Sequence, residues 1–183
     1  MRKIAVAPVT SQGYRAPRMS DDYVIPDGAN IGHVHLKVSD IERSLAFWRD
    51  MIGFRVTARW RDEAAFLSAG GYHHHLGLNT WTSRGGPPPS PRNTGLYHVA
   101  VRYPDRPSLA VGLRRVLTAG IPLVGAADHG VSHSIYITDP DQNGVELTVD
   151  LPREQWQHDA QGQIVMVTEP LDLDALLAEA GLA

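Results

Sequence analysis

Two short stretches of the chain, residues 33–40 and 98–105, share one pattern of hydrophobic and polar positions. Each opens on a histidine and ends on an aspartate, and apolar residues such as Val34 and Val99 recur at every second position. A period of two is typical of a β-strand that buries one face and exposes the other. The pattern therefore predicts an internal repeat with two equivalent strands, each opening on a histidine.

An amphipathic helix is predicted after each of these strands. Apolar residues recur with helical spacing over residues 41–52 and again over residues 109–117. Gly53 and Gly120 follow these stretches, and glycine is common where a helix ends because it adopts the left-handed backbone conformation easily. Each half of the repeat thus continues from a strand into a helix.

Both halves then return as strands, so each half is predicted to be a βαβββ module. The predicted strands are residues 55–60, 64–68 and 73–80 in the first module, and residues 132–138 and 144–150 in the second. Residues 83–91, between the modules, are too rich in Gly and Pro for a helix or an interior strand and predict a linker.

The 183 residues suit one compact domain with a substantial core. Residues outside the repeat show weak periodicity, and they predict an extended arm at the N-terminus and a polar tail with a short terminal helix. The predicted segments are an arm at 1–28, a domain at 29–152 with modules at about 29–82 and 95–152, and a tail at 153–183.

Composition narrows the function classes. The chain has no Cys, which excludes a disulfide framework, thiolate metal ligands and a cysteine nucleophile. A net charge of -3 without Lys/Arg runs predicts no nucleic-acid partner. No apolar stretch has the length of a membrane helix or of a signal peptide, so we expect a cytoplasmic protein. Nine His make metal or acid/base chemistry the first hypothesis.

Two tandem βαβββ modules that open on His-bearing strands, the second closing on a Glu-bearing strand, resemble the vicinal oxygen chelate superfamily. This superfamily includes glyoxalase I, fosfomycin-resistance proteins, bleomycin-binding proteins and type I extradiol dioxygenases. The spacing of His129, Tyr136, Asp139-Pro140 and Glu146 resembles the extradiol dioxygenase signature. Gln142 departs from it, since the family usually has Gly or Pro there. The histidine-rich residues 72–81 look most like the catechol 2,3-dioxygenase-like branch.

The resemblance implies an α+β fold in which the two modules form a curved, metal-lined sheet. It also implies that His33, His98 and Glu146 are metal ligands. Two histidines and one carboxylate are the facial triad of non-haem Fe(II) oxygenases, which leaves positions open for substrate and O2. The implied function is a one-domain extradiol dioxygenase that uses Fe(II), or Mn(II), to cleave a catechol-like aromatic diol with O2.

Ring cleavage also needs a base that accepts the diol proton and later returns it, and histidine is suited to this role. His74 and His75 are the candidates. Strand alternation favours His75 on the face of Glu146, whereas the string His-His-x-apolar of ring-cleaving relatives favours His74. The family pattern adds His129 and Tyr136, the latter as a hydrogen-bond donor to a substrate oxygen.

Two alternative functions remain open at this point. One is a glyoxalase-type isomerase or lyase that uses Ni(II), Zn(II) or Co(II), with His75 as a fourth protein ligand. The other is a non-catalytic protein that binds an aromatic or drug-like molecule. A homodimer is expected, and because modules of this superfamily pair within or between chains, the site lies either in one chain or across two copies.

Overall fold

The computed structural model describes residues 23–181, which divide into two compact units with the boundary after Ile31. The described part of the first unit, residues 23–31, contains a tight turn in which the Ala29 amide donates to the Pro26 carbonyl oxygen at 2.8 Å, and has no helix or strand. Most of the predicted N-terminal arm, residues 1–28, lies outside the described residues.

The second unit contains two βαβββ modules in the predicted order. The first consists of β1 (Val34–Lys37), α1 (Ile41–Leu45) continued by a π-helical segment (Ala46–Ile52), β2 (Arg55–Trp60), β3 (Ala64–Ser68) and β4 (Leu76–Asn79). The second consists of β5 (Val99–Arg102), α2 (Arg106–Thr118), β6 (Gly125–Asp128), β7 (Ser132–Thr138) and β8 (Gly144–Asp150). A 3₁₀ turn (Arg153–Gln155), β9 (Glu169–Pro170) and α3 (Leu173–Ala178) follow.

The strands form two sheets, one for each module, with the orders β1-β4-β3-β2 and β5-β8-β7-β6-β9. The α+β fold of paired βαβββ modules is therefore confirmed, and the predicted bounds of β2, β3, β7 and β8 agree with the structure. The strand predicted at 73–80 begins only at Leu76, and β6 was missing from the prediction. No helix within residues 23–181 is long and apolar enough to cross a membrane.

The two modules keep the same register, and this property positions the site. In each sheet the first strand of the module pairs in parallel with the last, with Val34 opposite Leu76 and Val99 opposite Val145. Because both opening histidines lie one residue before these valines, each position of the β1–β4 pair has a counterpart in the β5–β8 pair.

The edge strand β1 buries one face and exposes the other, as the period of two predicts, whereas β4 and β8 inside the sheets are buried on both faces. On β1, Leu36 lies in the core, whereas His35 and Lys37 on the opposite face are exposed. The core is one continuous cluster that includes Trp48 of the π-helical segment and Leu113 of α2. The helix α1 contacts β4 and α2 contacts β8, whereas His35 and Lys37 lie on the exposed face of β1.

Polar contacts connect the C-terminal tail to this core. Arg106 at the start of α2 makes an ion pair with Glu179, just after α3, at 2.8 Å, and it also contacts Nδ1 of His133. A guanidinium only donates, so Nδ1 of His133 accepts and Nε2 is free to donate to Asp128, 3.3 Å away. His133, for which the sequence suggested no role, therefore joins β6, β7, α2 and the tail.

The Leu176→Ala variant is expected to lose about 2–5 kcal/mol of unfolding free energy, because Leu176 of α3 is 0% exposed and its removal leaves a cavity in the core. Leu117→Ala on α2 is the matched control, since Leu117 is 45% exposed and should change the stability by less than about 0.5 kcal/mol. Urea denaturation measures both values. Equal losses would contradict the docking of the tail on the core.

Candidate metal and proton-transfer site

His98 and Glu146 come together on the second sheet. His98 lies directly before β5, Glu146 is on the neighbouring strand β8, and Nε2 of His98 is 3.0 Å from Oε2 of Glu146. Two ligands of one divalent ion have this separation when each lies about 2.0–2.2 Å from the ion at a right angle. Glu146 is only 8% exposed, so a cation would offset the cost of burying its charge.

Close packing of β5 on β8 produces this pair. A Cβ added to Gly144 would lie 2.1 Å from the carbonyl oxygen of Tyr97 and 3.0 Å from Cβ of His98. Only glycine permits that approach, and Gly144→Ala would push His98 away from Glu146. Sequence reasoning missed this role, although a glycine two residues before the candidate carboxylate was the available signal.

The turn between β7 and β8 holds Glu146 in register through a buried carboxylate. Asp139, 1% exposed, accepts hydrogen bonds from the amides of Asp141 and Asn143 and from the Asn143 side chain, each at 2.9 Å. Burial raises the pKa of Asp139, while the hydrogen bonds from Asn143 oppose that shift. Gln142 has a φ of 65°, the left-handed conformation that glycine adopts most easily.

The same turn contacts the first module. Asp141 accepts a hydrogen bond from the amide of Ser39 at 3.1 Å and makes an ion pair with Arg43 in α1. Arg43 also donates to the carbonyl oxygen of Pro140 at 3.1 Å. The turn that precedes the Glu-bearing strand is therefore attached to the helix that follows the first His-bearing strand.

Tyr136 and His129 extend the site on the second sheet. Nδ1 of His129 is 2.7 Å from the carbonyl oxygen of Val167, which can only accept, so Nδ1 carries a hydrogen. Nε2 of His129 lies 2.7 Å from the hydroxyl of Tyr136, and that hydroxyl is 3.3 Å from Oε1 of Glu146. A proton can thus pass between His129 and the surroundings of Glu146 through a single hydroxyl group.

The pKa of Tyr136 is raised, mainly by partial burial and further by the negative charge of Glu146. Its hydroxyl group is therefore protonated at neutral pH and able to donate a hydrogen bond. While His129 is neutral, its Nε2 accepts that hydrogen. When His129 is protonated, Nε2 donates instead and the Tyr136 hydrogen turns toward Glu146.

The other predicted site residues lie on the first sheet. The ring of His33, directly before β1, is 4.4 Å from the ring of His74, centroid to centroid. His74 also contacts Phe66 edge-on at 5.1 Å. Burial and the neighbouring His33 lower the pKa of His74, which favours the neutral imidazole that a base needs.

His75 makes different contacts from His74. The segment before β4 bends, so these two adjacent side chains do not alternate as in a regular strand. Nδ1 of His75 lies 3.1 Å from the Ser68 hydroxyl and accepts from the amide of Ala69 at 3.3 Å. Since Nδ1 accepts from the amide, His75 is held against the end of β3.

The predicted ligands therefore lie in two groups. His98 and Glu146 contact each other on the second sheet, and His33 contacts His74 on the first. Within residues 23–181, no three His, Asp or Glu side chains are spaced to share one metal ion. One module supplies two of the implied ligands and the other module supplies the third.

Comparison with known proteins identifies the family. The profile of the Glyoxalase/Bleomycin resistance protein/Dioxygenase superfamily matches residues 30–147. Catechol-2,3-dioxygenase of Bacillus subtilis (strain 168) is 41% identical over 157 residues, which are 86% of this chain and 54% of that protein. Biphenyl-2,3-diol 1,2-dioxygenase 3 of Rhodococcus globerulus is 28% identical over 120 residues, 66% of this chain and 63% of that protein. The chain thus spans less than two thirds of either relative's length.

Solved structures agree with this grouping. Lactoylglutathione lyase from Agrobacterium tumefaciens has a TM-score of 0.53 at 25% identity, with 68% of this chain and 95% of that chain covered. A glyoxalase/dioxygenase from Nostoc punctiforme has a TM-score of 0.57 at 19% identity, with coverages of 73% and 100%, and supports the fold alone. Because the superfamily profile matches more than half of the chain, the chain belongs to the glyoxalase/bleomycin resistance protein/dioxygenase superfamily.

Proposed function

We propose that this protein is a metal-dependent extradiol dioxygenase that cleaves the ring of a catechol-like aromatic diol with O2. The main support is the contact of His98 with Glu146, to which Tyr136 and His129 are joined by hydrogen bonds. Two candidate metal ligands beside a proton donor support this reaction, because ring cleavage requires proton transfer. Similarity to the catechol-2,3-dioxygenase of Bacillus subtilis, 41% over 157 residues, supports the same reaction class.

The proposed metal is Fe(II), with Mn(II) as the alternative, held by His33, His98 and Glu146. Two imidazoles and one carboxylate are a ligand set that this ion accepts. The distance of 3.0 Å between Nε2 of His98 and Oε2 of Glu146 is that expected of two ligand atoms on one ion. When bound, the metal would supply open positions for both diol oxygens and for O2. One carboxylate against a divalent charge leaves the site positive, which favours binding of the diol as an anion.

His74 is the proposed base in this reaction. Its neutral imidazole lies against His33 and accepts the diol proton as the substrate binds. Tyr136 donates a hydrogen bond to a substrate oxygen from the opposite module. His129 supplies that hydroxyl with a proton when the ring opens, since Nε2 of His129 is 2.7 Å from it.

The proposed assembly is a homodimer in which each site combines the first module of one copy with the second module of the other. The separation of His33 from the pair His98 and Glu146 supports this arrangement, because the two groups lie on different sheets of the chain. A two-fold dimer would create two equivalent sites from these halves.

An oxygen-electrode assay tests the proposed function. The protein is purified without oxygen, loaded with Fe(II), and mixed with catechol or 2,3-dihydroxybiphenyl. We expect O2 uptake together with a yellow ring-cleavage product, and loss of both in His98→Ala. Absence of uptake with every catechol tested would contradict the dioxygenase.

The same preparation distinguishes the alternatives. Bound metal without O2 uptake would favour a glyoxalase-type isomerase or lyase that uses Ni(II), Zn(II) or Co(II). Such an enzyme would use His75 as a fourth ligand, and because Nδ1 of His75 accepts a hydrogen bond from the Ala69 amide, Nε2 would have to give up its hydrogen to bind the metal. A protein without metal that still binds aromatic molecules would instead be a binding protein, and Glu146→Ala would then leave the ligand affinity unchanged.

A further inference from the structure

The hairpin of β2 and β3 departs from regular pairing at one residue. Val56 and Ala58 lie opposite successive residues of β3, so Thr57, between them, is an extra residue on β2. A β-bulge of this kind redirects the extra side chain, and bulges are frequent beside active sites. The corresponding hairpin of the second module, β6 and β7, pairs in a continuous register. The first module therefore differs from the second at Thr57.

The hydroxyl of Thr57 reaches the loop between β3 and β4, residues 69–75, which we call the histidine loop because it contains three adjacent histidines. This hydroxyl donates to the carbonyl oxygen of His73 at 2.7 Å, and the carbonyl oxygen of Phe66 lies 3.2 Å away. A threonine hydroxyl has a single hydrogen, and the shorter distance assigns that hydrogen mainly to His73. The bulge thus ties the edge strand β2 to the histidine loop.

The backbone of the histidine loop is held on both sides of His74. On one side, Thr57 bonds to the His73 carbonyl group, which belongs to the peptide between His73 and His74. On the other side, the amide of His75 donates to the carbonyl oxygen of Leu67 at 2.8 Å. The backbone position of His74 therefore depends on both hydrogen bonds, and Thr57 makes one of them through its side chain.

The His74 ring lies in a restricted position. Its centroid is 4.4 Å from that of His33 and 5.1 Å from that of Phe66, and its Nδ1 atom is 2.7 Å from Nδ1 of His73. Rotation of the peptide between His73 and His74 would move the His74 ring away from His33. Because Thr57 bonds to the carbonyl oxygen of that peptide, it restricts the rotation.

We propose that Thr57 is a positioning residue for the base His74. Its hydroxyl fixes the peptide between His73 and His74, and thereby keeps the His74 imidazole beside the candidate ligand His33. This inference rests on the proposed function. Proton transfer depends on such placement, because a base must lie within hydrogen-bond distance of the proton that it accepts.

Thr57→Val and Thr57→Ser test the proposal. Valine keeps the size and branching of threonine without the hydroxyl, whereas serine keeps the hydroxyl and is the matched control. Thr57 is exposed on an edge strand, so both variants should fold, and circular dichroism verifies this. Amide hydrogen exchange of the histidine loop is followed by mass spectrometry, and ring-cleavage rates of the Fe(II)-loaded proteins give kcat and KM.

We expect the histidine loop of Thr57→Val to exchange roughly 2–10-fold faster than that of the wild type, since a single hydrogen bond is lost from a surface segment. Its kcat should fall about tenfold, because a displaced base slows proton transfer. KM should stay within about twofold, since the groups that bind the diol are unchanged. Thr57→Ser should match the wild type in exchange and in kcat.

Wild-type exchange and kcat in Thr57→Val would overturn the proposal, and so would equal losses in Thr57→Val and Thr57→Ser. A higher KM with unchanged kcat would assign Thr57 to diol binding and would also overturn it. Metal content should be the same in all three proteins, because His33, His98 and Glu146 are retained. Loss of metal in Thr57→Val would contradict a role confined to the base.

Failure of the proposed function would look different. It would appear in the wild-type protein as bound metal without O2 uptake. The exchange rates would then still decide whether Thr57 holds the histidine loop, since faster exchange in Thr57→Val than in Thr57→Ser would uphold that contact and equal exchange would refute it.

Discussion

Co-expression of two inactive variants, His33→Ala and Glu146→Ala, is expected to produce an active heterodimer. In the proposed dimer one site combines both substitutions, and the other combines two intact modules. Each homodimer has lost a ligand from both of its sites and should be inactive. The heterodimer, isolated through two different affinity tags, should therefore recover about half of the wild-type ring-cleavage rate per dimer.

A heterodimer of His98→Ala with Glu146→Ala is the matched control. Both substitutions lie on the second module, where the two side chains are 3.0 Å apart, so each site of this heterodimer still lacks one ligand. It should remain inactive. Activity in neither heterodimer, with wild-type dimer of the same tags active, would place each site within one chain and contradict the shared arrangement.

His74→Ala is expected to lower kcat by about 10²–10⁴-fold, the usual contribution of general acid–base catalysis. This loss is expected because the ring of His74 lies 4.4 Å from that of the candidate ligand His33, beside the proposed metal site. His75→Ala is the neighbouring control, and since His75 bonds to Ser68, we expect a loss of less than about tenfold.

The product absorbance gives kcat. The metal content of each variant shows whether a lower kcat reflects loss of the base or loss of the bound metal. His74→Ala should retain its metal, because His74 is not among the proposed ligands. The reverse order, with His75→Ala the more damaging, would make His75 the base. Loss of metal in His74→Ala would indicate that His74 supports the candidate ligand His33. That result would contradict the proposed role of His74 as the base.

Much of the fold followed from patterns that are local in the chain. Alternation at His33 and His98 identified equivalent strands, and Gly53 and Gly120 marked the ends of the helices. These signals work because strand faces and helix ends depend on nearby residues. The strand predicted from His73 was too long, because alternation assumes an extended backbone and the chain bends before Leu76.

The candidate site was less accessible to sequence reasoning. Strand alternation favoured His75 over His74, but the contacts that distinguish these two histidines, with Ser68 and with His33, depend on tertiary packing. Strand pairing shows in addition that Gly77 in the first sheet lies at the level of Glu146 in the second, an equivalence that depends on contacts between distant parts of the chain.

That alignment has an evolutionary consequence. A duplicated module with a preserved register holds two copies of every ligand position, and each copy can gain or lose a side chain without moving the backbone of the other. A duplicated architecture of this kind can therefore change the set of side chains at its site through few mutational steps, while its backbone stays constant.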